Sequence, residues 1–156
     1  MELIESFTVD HLRLLPGLYV SRTDRKENVT VTTYDLRFTA PNREPPLDMP
    51  AVHTIEHLGA TFMRRSAIAD DVVYFGPMGC RTGFYLLLFG DRRPEAVCPV
   101  VKDMLRYIAG FSGDIPGASP ISCGNWREQN PDTAKYYAAR YLDALENAPR
   151  FTYPDP

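Results

Sequence analysis

Residues 51–60 read AVHTIEHLGA, and His53, Glu56 and His57 within them are side chains that bind metals and move protons. The order H-x-x-E-H inverts the zincin H-E-x-x-H, and inverted-motif peptidases use it. At about 100° per residue on a helical wheel, His53, His57, Ala60 and Arg64 fall on one side, with Glu56 flanking them. Val52, Ile55, Gly59, Phe62 and Met63 fall on the other, with Leu58 near their edge. Residues four apart on a helix lie one above the other, so both imidazoles reach a single ion. Glu56 is three residues from His53 and next to His57, close to that ion without having to bind it. Two of the chain's three histidines thus form half of a metal site.

A third ligand is needed, and the candidates are His11, a carboxylate or a cysteine. Cys98 sits at helical spacing with Val101, Leu105 and Ile108, which makes it a small core residue. Cys123 follows a loop, and Gly124 lets the backbone bend toward an ion. Cys80, in Pro77-Met78-Gly79-Cys80-Arg81-Thr82-Gly83, lies in a hairpin turn beside a cation, a setting for an exposed, reactive thiol. A His₂Cys set leaves the fourth tetrahedral position open, as catalytic sites do. Imidazole with thiolate suits Zn²⁺, Co²⁺ or Fe²⁺ and argues against Mg²⁺ or Ca²⁺. The competing readings are an inverted-motif metallopeptidase or amidase and a non-catalytic metal-binding module. Those peptidases are usually much larger, take a carboxylate as third ligand and have no job for a second reactive thiol.

These side chains need elements to hold them. A helix is expected over residues 49–68, with Asp48 as N-cap and Pro50 in the first turn. Before it, residues 18–22 and 29–38 read as strands around a polar turn at 23–28. In the second strand the apolar parity moves from Val29/Val31 to Tyr34/Leu36/Phe38, which predicts a bulge at Thr32-Thr33. Arg37, between Leu36 and Phe38, points to the opposite face. Strands at 71–75 and 83–89 flank the Cys80 turn. Residues 94–109 form a helix with Val97, Val101, Leu105 and Ile108 on one stripe. A Gly/Pro/Ser loop follows, and a last helix begins near Asn130-Pro131, carrying Ala134, Ala138, Tyr141 and Leu145. Adjacent strand pairs with helices between and after them predict an α+β fold, an antiparallel four-stranded sheet packed with helices. Residues 1–150 read as a single domain and 151–156 as a loosely held tail.

The chain's 156 residues suffice for one domain with a real core. At 44% hydrophobic and 24% charged it is ordinary for a globular protein. A net charge of −3 without any Lys/Arg run argues against nucleic acid or an anionic membrane as partner. The first ten residues carry two glutamates and no long apolar stretch, unlike a signal peptide or membrane span. Three cysteines in that setting point to reduced thiols and a cytoplasmic location.

Several of these segments occur in a characteristic order: Ile4-Glu5-Ser6-Phe7, Asp10-His11-Leu12, Asp35-Leu36-Arg37-Phe38 followed by Pro41-Asn42, His53 to Leu58, Pro77 to Gly83, and Cys123-Gly124. Together, over residues 4 to about 145, the chain resembles the S-ribosylhomocysteinase (LuxS) family. The resemblance implies a metal-dependent lyase that cleaves S-ribosylhomocysteine to homocysteine and 4,5-dihydroxy-2,3-pentanedione, the precursor of autoinducer-2, by carbonyl migration and β-elimination. It implies His53, His57 and Cys123 as metal ligands and Cys80 and Glu56 as the acid/base pair. Ser6, His11 and Arg37 match positions that contact the substrate. It further implies a homodimer with active sites built at the interface from both chains, and one divalent metal per subunit, usually Fe²⁺, with Zn²⁺ or Co²⁺ as substitutes. The chain departs from the family at Tyr74-Phe75-Gly76, where many members resemble Asp-Ile-Ser. Trp126 has no role assigned by the resemblance.

Overall fold

The four expected strands pair into one antiparallel sheet. The computed structural model describes residues 4–155. Its elements are α1 (Glu5–Thr8), β1 (Gly17–Lys26), β2 (Val29–Arg37), α2 (Met49–Met63), β3 (Val72–Pro77), β4 (Gly83–Phe89), α3 (Pro94–Ala109) and α4 (Pro131–Asn147). The strand order is β1-β2-β4-β3, and every neighbouring pair is antiparallel. The architecture is therefore α+β. No helix among the described residues is long and apolar enough to cross a membrane.

Strand alternation sends Leu18, Tyr34, Leu36, Phe84, Leu86 and Leu88 to one face. There they meet the apolar stripes of α2 (Val52, Ile55, Leu58), α3 (Val97, Val101, Leu105, Ile108) and α4 (Ala134, Ala138, Tyr141, Leu145). Cys98 is buried in this core, as its spacing predicts. The opposite face carries Thr33, Asp35, Arg37, Tyr85 and Leu87. Exposed apolar side chains border it, Tyr74 from β3 and Val29 and Phe89 from the ends of β2 and β4.

Four details differ from expectation. The polar stretch 23–28 is mostly strand, because a two-residue turn at Glu27 and Asn28 suffices to reverse the chain and Glu27 adopts the positive φ that turn needs. The bulge lies on β1, between Val20 and Arg22, whereas β2 pairs with β4 without a break. Thr32 already has core parity, its hydroxyl donating to the Gly90 carbonyl at 2.7 Å, and Val29 and Val31 lie on the outer face. The helix α2 stops at Met63, where Arg65 and Ser66 N–H groups turn to carbonyls three residues back and the Ser66 hydroxyl takes the Met63 carbonyl. Asp48 holds the expected N-cap position of α2 without a side-chain capping bond.

The fourth difference is the C-terminal segment, which is held rather than loose. The Arg150 carbonyl accepts from Leu18 N–H at 2.9 Å, Phe151 packs against the core, and Arg13 donates to the Asp155 carbonyl at 2.7 Å.

Candidate active site

On α2, His53 and His57 stand four residues apart, both half-buried. Their Nε2 atoms are 3.0 Å apart, and Cys123 Sγ lies 3.4 Å from His53 Nε2. Possible ligand atoms of the three residues all fall within 4.8 Å of one another. The Nδ1 atoms turn away to main-chain carbonyls, His53 to Glu128 at 2.8 Å and His57 to Pro116 at 2.7 Å. A carbonyl only accepts, so each ring carries its proton on Nδ1 and presents a lone pair at Nε2. Two nitrogens and a sulfur converging this closely form a donor set that could hold one metal ion.

The loop between α3 and α4 supplies the third donor and both carbonyls. The Thr54 hydroxyl, on the next helical position after His53, donates to Gln129 Oε1 at 2.7 Å and accepts from Asn130 N–H at 3.0 Å. Cys123 is itself turned inward by its N–H bond to the Ser119 carbonyl at 2.9 Å. Gly117 has a φ of +73°, and a Cβ there would lie 3.3 Å from His57 Nδ1, so the loop approaches the imidazole only with glycine at this point. The histidine face is thus partly covered by the chain's own loop. Glu56 lines a shallow cavity of about 230 Å³ beside His53, with Val52, Pro77 and Glu128 among its walls.

The other sequence-derived candidates gather elsewhere. Ser6, His11, Arg37 and Cys80 line one cavity of about 580 Å³, together with Asn42, Thr82 and Tyr85. The cavity of Glu56 and His53 shares no lining residue with it. Cys80 is exposed at the tip of the β3–β4 hairpin. That tip is fixed by Met78 N–H to the Gly83 carbonyl at 3.0 Å and by Leu47 N–H to the Arg81 carbonyl at 2.7 Å, with Arg81 at φ +58°. His11 Nδ1 is engaged by the Val9 carbonyl at 2.8 Å, which leaves Nε2 for the cavity.

Arg37 does point away from Leu36 and Phe38, but it is not free. Its Nε and Nη2 donate to the two oxygens of Asp35, at 3.0 and 2.6 Å. Burial opposes the guanidinium's charge. The Asp35 carboxylate outweighs that through its field and its hydrogen bonds, and holds Arg37 above the ordinary value. Nη1 donates to Thr82 Oγ1 at 2.6 Å, and Thr82 Oγ1 is 3.2 Å from Cys80 Sγ. Sequence reasoning passed over Asp35 and Thr82. A signal for Asp35 existed, since opposite charges two apart in a strand share one face.

Fold and site together define an α+β protein with a candidate mononuclear His₂Cys centre and a thiol in a second cavity. The chain belongs to the S-ribosylhomocysteinase (LuxS) family, whose family model matches residues 4–151. It is 50% identical to an S-ribosylhomocysteine lyase of Finegoldia magna over 94% of both chains. It is 49% identical to one of Clostridium acetobutylicum over 99% of this chain and 100% of the relative. A third, of Borreliella burgdorferi, is 51% identical over 94% of both.

Proposed function

We propose that this S-ribosylhomocysteine lyase is metal-dependent and releases homocysteine and 4,5-dihydroxy-2,3-pentanedione, the autoinducer-2 precursor, by carbonyl migration followed by β-elimination. The observation that carries the reading is the convergence of His53, His57 and Cys123 with both imidazole tautomers set for ligation. These three would hold one divalent ion, with Fe²⁺ the preferred occupant and Zn²⁺ or Co²⁺ as substitutes. Bound there, the ion supplies Lewis-acid stabilisation of negative charge on the sugar oxygens.

The chemical difficulty is that a thiolate does not leave from an unactivated carbon. The open-chain ribose holds its carbonyl at C1, and two enediol isomerisations carry it to C2 and then C3. Loss of the C4 proton then expels the sulfur from C5, and the departing homocysteine thiolate takes up a proton. Each isomerisation removes a proton from one carbon and returns one to its neighbour, so bases are needed at different places along the sugar. Glu56, beside the metal ligands, and Cys80 divide that work, each contributing about 10²–10⁴-fold. Arg37 holds substrate oxygens, and Ser6 and His11 complete the contacts in the Cys80 cavity.

One substrate has to meet both Glu56 and Cys80, whose cavities have separate walls. This supports a homodimer in which the Cys80 cavity of one chain is completed by the Glu56 cavity of the other. The outer sheet face, bordered by exposed Tyr74, Val29 and Phe89, is the apolar surface available for that contact. Residues 1–150 form the catalytic domain in this reading, with 151–156 as its tail. The three unpaired cysteines suit a reducing cytoplasm.

The test is anaerobic purification with metal analysis, followed by a free-thiol assay on S-ribosylhomocysteine. One ion per chain and stoichiometric thiol release are expected. A metal-loaded protein that releases no thiol overturns the reading.

A further inference from the structure

Tyr153 lies in the segment after α4 and belongs to none of the groups assigned above. Its hydroxyl donates to Asp35 Oδ2 at 2.8 Å, and its ring stacks on Tyr19 with centroids 4.6 Å apart and planes 18° from parallel. The Arg150 and Asp155 carbonyls, on either side of it, are bonded to Leu18 N–H and the Arg13 side chain. The aromatic side chain is therefore presented by a segment anchored at both ends.

The contacts form one connected chain, with Asp35 accepting from both sides. Asp35 is 1% exposed and Arg37 3% exposed, so neither has water as a substitute partner. The carboxylate accepts Tyr153 and two N–H groups of Arg37. The guanidinium can only donate, so Thr82 Oγ1 accepts from Nη1. The hydroxyl proton of Thr82 then has Cys80 Sγ, 3.2 Å away, to point at. Cys80 Sγ and the Tyr153 hydroxyl are thus the two ends of one hydrogen-bonded chain. Removing the phenol frees one oxygen of Asp35, and the fork of Arg37 can then follow that oxygen.

We propose that Tyr153 is a positioning residue for the reaction, fixing Asp35 and Arg37 so that the Thr82 hydroxyl holds Cys80 Sγ in place. This rests on the reading of Cys80 as an acid/base group. Burial, with the Asp35 charge next, pushes the Tyr153 phenol far above its ordinary value, so it remains a donor wherever the enzyme works.

The test uses Tyr153→Phe in the metal-loaded enzyme, which keeps the ring on Tyr19. Alkylation of Cys80 by iodoacetamide at neutral pH, followed by peptide mass spectrometry, should slow roughly three- to tenfold, the worth of one ordinary hydrogen bond. The value of kcat/KM should fall by the same factor, with metal content unchanged. Truncation after Thr152 should reproduce the slowing and also lower the melting temperature. A tail with only a packing role predicts the opposite sign, since loosening the surroundings leaves alkylation unchanged or faster, and that result overturns the proposal. Slower alkylation with unchanged turnover leaves the contact to Cys80 standing but overturns Tyr153's part in the reaction, because Cys80 is then outside the chemistry. Full turnover by Cys80→Ala reports that second failure independently.

Discussion

Asp35→Ala is the substitution whose cost the structure defines most sharply. It removes both acceptors of the Arg37 fork, the bonds of 3.0 and 2.6 Å, and the acceptor of Tyr153. Arg37 is left 3% exposed with its charge uncompensated. Breaking one partner of a buried pair costs about 3–5 kcal/mol. For a chain of this length each kcal/mol lowers the melting temperature by about 2–4 °C, so thermal unfolding followed by circular dichroism should shift downward by roughly 6–20 °C. The penalty belongs to the orphaned cation and not to lost volume. Asp35→Leu combined with Arg37→Met should therefore recover most of it, because a buried pair replaced by apolar groups is often neutral. A single Asp35→Ala variant melting within about two degrees of the parent would refute the reasoning. So would a double variant no more stable than the single one.

Cys123→Ser and His57→Ala should abolish stoichiometric metal binding, whereas Cys80→Ala should retain the ion and lose thiol release; metal analysis beside the thiol assay separates them. Burial raises Tyr19 to about 12 and, as the leading cause, pushes Tyr34, Tyr85, Tyr141 and Tyr153 up as well. Their contribution to stability is whole below the ordinary tyrosine value of 10.0 and drains as pH rises through the raised folded values. Ionisation of these five phenols, followed ring by ring by NMR, should therefore accompany loss of circular dichroism in that alkaline range; their ionisation near the ordinary value with the fold intact would contradict this. Gly59→Ala would place a Cβ 2.3 Å from Phe75 Cε1, in a ring stacked on Phe84. An overpacking cost of about 1–3 kcal/mol should appear in urea unfolding and be relieved by Phe75→Leu.

What could be read without the structure was whatever repeats at a fixed short spacing. The stripe Val97, Val101, Leu105, Ile108 marked α3 at the bounds it has, and the run from Gly83 to Phe89 marked β4. The four-residue step from His53 to His57 marks their shared helical face for the same reason. The end of α2 was harder, since Arg64 and Arg65 suit a helix and only Ser66 and the turn after it stop the ladder. Apolar parity places the bulge on the wrong strand, because the two valines at the start of β2 face outward in the ladder and the register shift lies on β1. Contacts between distant segments left no periodic trace. Tyr153 meets Asp35 across 118 positions and Arg37 meets Thr82 across 45. A chain terminus reads as loose because sequence does not report the bonds that hold this one to Leu18 and Arg13.

The two imidazoles are oriented by the main-chain oxygens of Pro116 and Glu128. Every amino acid carries such an oxygen, so drift at positions 116 and 128 can pass without disturbing either ring, provided the loop keeps its path. Selection at this centre therefore acts on a curve in space as much as on letters. The positions that enforce the curve, Gly117 with its left-handed backbone and Thr54 with its two bonds to the loop, are where a silent-looking change would turn an imidazole out of place.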